Sequence, residues 1–384
     1  MEKPRVKSVF PPLPQGDGII RVGGFDYGLA AEITDDEQGH IWQLLQLMDG
    51  SRNRLQLALE MQRFDPEITP DDVDATIAAL IDAGYVEDAA ILPPSDLFSP
   101  AEVERYRRNF DFFNYFHMLP LTKYDLQARL KTARVTVLGI GGLGSYVALS
   151  LAAAGVGNLL LVDHDTVETS NLNRQVLYTA RDVGTLKVEA AARRLAEVNP
   201  HITVTTLNMK VSSVADARTC FHGQDLLVCA ADRPRIRIYD WINQAAILER
   251  VPWIRGANDG LTVNSFLHVP GETACFECGQ RWAHEKWPWY GHVLHYVMET
   301  VGDRTVNPCI SPVAGLIGHL TALEVIKFLT KIARPVMYGR KLVVDLQTLE
   351  THLTAEAIRL PDCPVCGTGA ELREEERNGR VPSL

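Results

Sequence analysis

One segment restricts this chain more than any other: Arg134-Val135-Thr136-Val137-Leu138 followed by Gly139-Ile140-Gly141-Gly142-Leu143-Gly144. The first five residues read as a buried strand. The glycines permit a tight turn and let backbone N–H groups approach a phosphate closely. The small-residue run Ser145 to Ala154 then reads as a helix whose N-terminus adds partial positive charge. A second strand, Asn158 to Val162, ends in Asp163, where a carboxylate can accept hydrogen bonds from a ribose. A glycine motif alone is a weak signal. Strand, loop, helix, strand and terminal acid in that order predict nucleotide binding. The strand–helix alternation continues to about Ile332, which predicts an α/β, doubly wound, Rossmann-like sheet.

A nicotinamide dehydrogenase would share those features, but the residues that follow argue for different chemistry. Asp163-His164-Asp165 leads to Asn171-Leu172-Asn173-Arg174-Gln175, and then to Lys187. Hydride transfer needs no such cationic cluster. Displacement of pyrophosphate does, because charge builds on the phosphates in the transition state. The third strand, Asp225 to Val228, runs through Ala230-Ala231 to Asp232, where a carboxylate could hold magnesium between phosphates. Taken singly, Arg174 and Lys187 are equally surface charges and Asp232 a helix cap. Their order makes the nucleotide reading.

Composition removes other classes. Lys plus Arg number 38 against 48 Asp plus Glu, a net charge of −10, which argues against a partner made of nucleic acid. No 18-residue apolar run is evident, so no membrane span is expected, and Met1-Glu2-Lys3-Pro4-Arg5 lacks a signal peptide's apolar stretch. A cytoplasmic location is expected. In that reducing compartment, the pairs Cys275-Phe276-Glu277-Cys278 and Cys363-Pro364-Val365-Cys366 point to metal chemistry. Each pair can bring two thiolates about 2.3 Å from one ion, and four close a tetrahedral zinc site with no open position. Buried thiols or a disulfide are the other readings. Cys220 and Cys229 read as core residues, and Cys309 is the remaining free cysteine.

Residues 1–90 read as a separate small domain. Strands are expected over Gly18 to Val22 and Tyr27 to Ile33 around Gly23-Gly24. Helices follow over Gly39 to Met48, over Leu55 to Met61 with Ser51 as cap, and from Thr69-Pro70 to about Ala83, before a strand at Tyr85-Val86. That order is a winged-helix arrangement. The last helix carries four aspartates and no Lys or Arg, so phosphate would repel it. Binding of an extended peptide at a strand edge fits better, with a packing or dimerisation appendage as the alternative. Residues 91–130 form a connector, Pro-rich and then aromatic. Residues 131–370 form the α/β domain, and residues 371–384 a charged tail.

The set Gly139, Gly141, Gly142, Gly144, Asp163, Asp165, Asn171, Arg174, Gln175, Lys187 and Asp232 resembles the ubiquitin-activating-like adenylyltransferases of the ThiF/MoeB type, over about Arg105 to Gly367. The resemblance implies attack of a carboxylate on the α-phosphate of ATP, giving an acyl-adenylate and pyrophosphate. It places Asp163 on the ribose, Arg174 and Lys187 on the phosphates and Asp232 on magnesium. It also places zinc on Cys275, Cys278, Cys363 and Cys366. Arg105-Tyr106-Arg107-Arg108-Asn109 resembles the family's arginine-finger segment, which implies that Arg108 reaches the nucleotide of a second subunit in a homodimer. In the family, a crossover loop such as the one bearing Trp282, Trp287, Trp289 and Tyr290 covers the substrate tail, with core packing as the other reading. The N-terminal segment resembles PqqD-like peptide-recognition elements. The fused plan, with Ala230-Ala231-Asp232-Arg233-Pro234-Arg235, resembles the microcin C and pantocin biosynthetic enzymes. The implied partner is a short ribosomal precursor peptide. ATP is the implied nucleotide, and the motif leaves CTP open. Activation of a sulfur carrier or ubiquitin-like protein, or a leader-binding scaffold without catalysis, are the alternatives.

Overall fold

The computed structural model describes residues 1–23, 31–116, 119–301 and 308–367. The 371–384 tail and residues 24–30 of the expected N-terminal hairpin lie outside these. The chain divides into two units, Met1–Ala128 and Arg129–Leu384.

In the first unit, β1 (Pro4–Val6), β2 (Pro12–Gly16), β3 (Ile19–Val22) and β4 (Ala31–Thr34) precede α1 (His40–Leu47), α2 (Arg54–Phe64), α3 (Pro70–Asp82) and β5 (Val86–Asp88). β2, β3 and β4 form an antiparallel sheet, while β1 pairs with β5 and so ties the start of the chain to the end of the helical trio. The sequence did not signal β1 or β2, since proline opens both. Thr69 caps α3 as expected: its side chain accepts from the Asp72 N–H, and the Asp72 carboxylate accepts from the Thr69 N–H. The cap of α2 is Asn53, not Ser51, because Gln56 lies at the spacing that completes its box. Val73, Ile77 and Leu80 turn one face of α3 into the core with Leu44, Leu57 and Met61, and the four aspartates stay exposed. Helices α4 (Pro100–Arg105) and α5 (Arg107–Phe113) follow. The aromatic run makes ring contacts within this unit, with Phe110 edge-on to Phe98 and Tyr124, and Tyr115 edge-on to Phe10. Helix α6 (Lys123–Thr132) leads into the second unit.

There the order is β6 (Arg134–Leu138), α7 (Gly142–Ala154), β7 (Asn158–Val162), α8 (Lys187–Val198), β8 (Thr203–Leu207), α9 (Val214–Phe221), β9 (Leu226–Cys229), α10 (Arg237–Glu249) and β10 (Trp253–Asp259). These five strands are parallel in the order β8-β7-β6-β9-β10. The strand order reverses between β6 and β9, which opens a crevice at the carboxyl ends of the strands. Beyond β10 the sheet turns antiparallel through β11 (Thr262–His268), β12 (Lys341–Asp345) and β13 (Thr351–Leu353). Helices α11 (Phe276–Lys286), α12 (Tyr290–Tyr296) and α13 (Ser311–Thr330) lie between β11 and β12 in sequence. By length and composition α13 could cross a membrane, contrary to the expectation of no such segment. Half of its apolar window is buried, and it packs on α7, β10 and β11.

Candidate active site

The glycines serve two purposes. At Gly139, φ is +87°, and an added Cβ would lie 2.7 Å from the Ala231 nitrogen, so only glycine lets β6 turn beside the end of β9. A Cβ on Gly144 would lie 1.9 Å from the Gly139 carbonyl oxygen, so this glycine keeps α7 against its own loop. Gly141 and Gly142 face the crevice. The Ile140 peptide is clamped from both sides: its N–H donates to Asp163 Oδ2 at 2.7 Å, and its carbonyl accepts from the Tyr178 hydroxyl at 2.8 Å. Burial, and then the charges of Asp163 and Asp165, push the Tyr178 phenol well above its ordinary value, so it remains a neutral donor.

Asp163 is 8% exposed, and its other oxygen accepts from the Asp165 N–H at 2.9 Å. Each carboxylate oxygen keeps a lone pair for a ribose hydroxyl. Asp165 pairs with Lys187 Nζ at 2.7 Å, and Lys187, the first residue of α8, is itself nearly buried. Asn171 Oδ1 accepts from the Glu168 N–H and holds the turn that presents Arg174. Arg174 Nη1 is steadied by the Ser170 carbonyl at 3.0 Å and Asn173 Oδ1 at 2.8 Å. Gln175 is buried, and its Oε1 has no partner among the described residues, so it is an acceptor open to a donor.

Asp163, Asp165, Asn171, Arg174, Gln175, Lys187 and Asp232 line one cavity of about 1290 Å³, together with Gly139, Gly141 and Gly142. Gly144 is outside the lining and packs behind the loop. Arg108 belongs to α5 of the first unit, where it is 83% exposed and pairs loosely with Asp111 at 3.4 Å. Cys309 lines the cavity; burial raises its thiol, and the Arg174 charge offsets that in part. It is not the lowered thiol of an activated nucleophile. Cys220 and Cys229 are core residues whose thiols burial pushes up to about 12.

Sequence reasoning missed Tyr178, which gave no motif and steadies the glycine loop from outside the lining, and it missed part of the lining itself. Arg255 is a cation inside the strand Trp253-Ile254-Arg255-Gly256, an oddity that could have flagged it. Its guanidinium lies 4.5 Å from the Tyr239 ring centre and 5.9 Å from that of Phe276. Trp282, Trp287, Trp289 and Tyr290 line the same cavity as a loosely stacked aromatic group.

The four paired cysteines form a separate buried cluster. Sγ separations are 3.8 Å for Cys275–Cys278, 3.7 Å for Cys275–Cys363 and 3.5 Å for Cys278–Cys366. A tetrahedron with Zn–S bonds of about 2.3 Å has edges of about 3.8 Å, so the donor set fits zinc. Cys363 and Cys366 come from the last described segment, which the cluster joins to the start of α11.

Fold and site together define a Rossmann-like nucleotide-binding protein whose glycine loop and cationic side chains line one cavity. The chain belongs to the ThiF family, which matches residues 115–365. It is 34% identical over 285 residues to the heterocyst protein HesA of Trichormus variabilis, covering 74% of this chain and 96% of that one. It is 33% identical over 260 residues to the molybdopterin-synthase adenylyltransferase of Salmonella typhimurium, covering 67% and 97%. Among solved structures, E. coli MccB with AMPCPP and the peptide MccA is similar at TM-score 0.74 and 25% identity, over 96% of this chain and 100% of that one. PaaA is similar at TM-score 0.72 and 25% identity, over 92% and 100%. This chain is an ATP-dependent adenylyltransferase of the ThiF/MoeB type.

Proposed function

We propose that this enzyme adenylates a carboxylate on a short ribosomally made peptide. One observation carries the reading. The cavity joins a nucleotide end, with the glycine loop, Arg174 and Lys187, to an aromatic end with three tryptophans. At about 1290 Å³ it exceeds the roughly 300–1,000 Å³ of a typical small-molecule site, which leaves room for a second substrate beside ATP. The likeness to MccB, solved with MccA, and to PaaA supports a peptide.

In this reading Asp163 holds the ribose and the Gly141–Gly142 backbone faces the phosphates. A peptide carboxylate oxygen attacks the α-phosphorus, and the bond to the bridging oxygen breaks to release pyrophosphate. Arg174 and Lys187 stabilise the charge that develops, and Arg108 contributes from a second subunit of a homodimer. Asp232 would hold magnesium, which neutralises phosphate charge when bound. A peptide amide or amine nitrogen then attacks the acyl carbon and expels AMP, giving a cyclised product, or attacks the adenylate phosphorus and expels the carboxylate, giving a phosphoramidate conjugate. Cys275, Cys278, Cys363 and Cys366 would hold a structural zinc. The first unit, read as a winged-helix element, takes the leader along an edge of the β2-β3-β4 sheet, where β2 and β4 each have one side unpaired within the sheet. A cytoplasmic location fits the supply of ATP and of the nascent peptide.

A second reading, activation of a sulfur-carrier or ubiquitin-like protein, is supported equally by the relatives at 33–34% identity. It requires a Gly-Gly-tailed partner and an essential Cys309. Pyrophosphate exchange with ATP and magnesium separates the two. Exchange that depends on a short peptide encoded beside the gene supports the first reading. Exchange driven by a Gly-Gly-tailed carrier, and lost together with sulfur transfer in Cys309→Ala, supports the second.

A further inference from the structure

The antiparallel half of the sheet carries cations that nucleotide chemistry does not use. Arg255 on β10 pairs in register with Phe266 on β11, and Phe266 with Lys341 on β12. Residues in one row across neighbouring strands point to the same face, so the two cations flank the Phe266 ring with Cα atoms about 10 Å apart. Both line the cavity. They lie beyond β9, on the opposite side of the switch point from Asp163 and Lys187.

Neither cation forms an ion pair among the described residues. The Arg255 Nε is buried with no partner, and its guanidinium is fixed over Tyr239 and Phe276, so the fork is aimed before any ligand arrives. Burial and then the Arg255 charge hold the Lys341 ammonium below its ordinary value, while the charge of Asp259 partly opposes them. Asp259 already accepts from Asn264 Nδ2 at 2.8 Å. Nearby His268 contributes no charge, since burial pushes it down to about 3. Asn258 also lines the cavity, and its buried Oδ1 meets no donor among the described residues. Arg255 is half-buried and Lys341 is exposed, and two like charges flanking one phenylalanine repel each other unless an anion joins them.

We infer that this wall is a carboxylate subsite: Arg255 and Lys341 receive a second carboxylate of the acyl substrate, separate from the one adenylated. The substrate therefore presents an acidic residue beside its reacting group, and Asn258 Oδ1 accepts one of its amide N–H groups. The assignment rests on the adenylation reading for the identity of the acyl substrate, but the anion site itself does not.

The test uses the full-length protein and two matched probes, glutaramate, with one carboxylate, and its neutral diamide counterpart glutaramide. Binding is titrated with and without a non-hydrolysable ATP analogue, which blocks the phosphate end. Glutaramate is expected to bind at least about tenfold more tightly than glutaramide in both conditions. Arg255→Met and Lys341→Met each remove the preference and leave analogue affinity intact, and Arg255→Lys retains part of it. No preference in the wild type, or a preference that survives both methionine variants, overturns the subsite. Failure of the ATP analogue to bind defeats the adenylation reading instead, and the nucleotide-free titration still decides the subsite.

Discussion

Lys187 Nζ lies 2.7 Å from Asp165 Oδ2, an ion pair that links the first residue of α8 to the loop after β7. The pair holds a nearly buried ammonium on the cavity wall, where the proposed function puts the phosphates. Lys187→Ala is expected to lower pyrophosphate exchange by about 10²–10³, the loss typical of one preorganised charge-stabilising donor. A change below about threefold would remove Lys187 from the phosphate site.

Asp232→Ala is expected to abolish adenylation while leaving peptide affinity nearly unchanged. The acid lies at the end of β9 on the nucleotide cavity, and the proposed leader site is in the first unit. Calorimetry with the peptide, beside the exchange assay, checks this. Equal loss of both would refute the division of labour.

Tyr178→Phe removes the donor to the Ile140 carbonyl without changing packing volume. A neutral hydrogen bond of this kind contributes about 0.5–1.5 kcal/mol, so the denaturation free energy should fall by that amount. The glycine loop also loses one of its two clamps, so KM for ATP should rise more than kcat falls.

Purified protein is expected to contain one zinc per chain. Cys363→Ser, or prolonged chelation, should remove the metal and lower the Tm, because the cluster joins the last described segment to α11. Full thermal stability in metal-free protein would contradict a structural zinc.

His40 bonds Asp36 Oδ2 at 2.6 Å and Asp65 Oδ2 at 3.0 Å. Desolvation lowers its pKa, but the hydrogen bonds and charges of Asp36 and then Asp65 outweigh it and raise the value above 6.5. A raised histidine stabilises the fold fully below the unfolded value, and the contribution disappears as pH rises through the folded one. Wild type should therefore exceed His40→Gln in Tm at pH 5.5, with the gap narrowing above neutrality. A gap that widens with pH would reverse the assignment.

Much of the second unit was legible because its signals are local. The boundaries of β6 and β7 follow from residues in unbroken order, and α7 begins only a few residues before the expected start. In the first unit, Thr69, Pro70 and Asp72 announce α3 within a single turn. β1 escaped notice because its partner, β5, lies some eighty residues downstream, and no local pattern encodes that pairing. Asn53 displaced Ser51 as the α2 cap because the matching Gln56 decides between two polar candidates.

The sequence by itself determined the nucleotide chemistry, since phosphate binding needs a loop, a helix start and nearby charges that adjacent residues supply. It also determined the donor set of the cysteine cluster, since two C-x-x-C pairs supply four thiols wherever they meet. Only the tertiary structure decided what faces the other end of the cavity. Arg255, Phe266 and Lys341 become neighbours only when three strands fall into register. Sheet pairing brings together residues remote in sequence, and the pair of cations on the cavity wall exists only once that pairing is made.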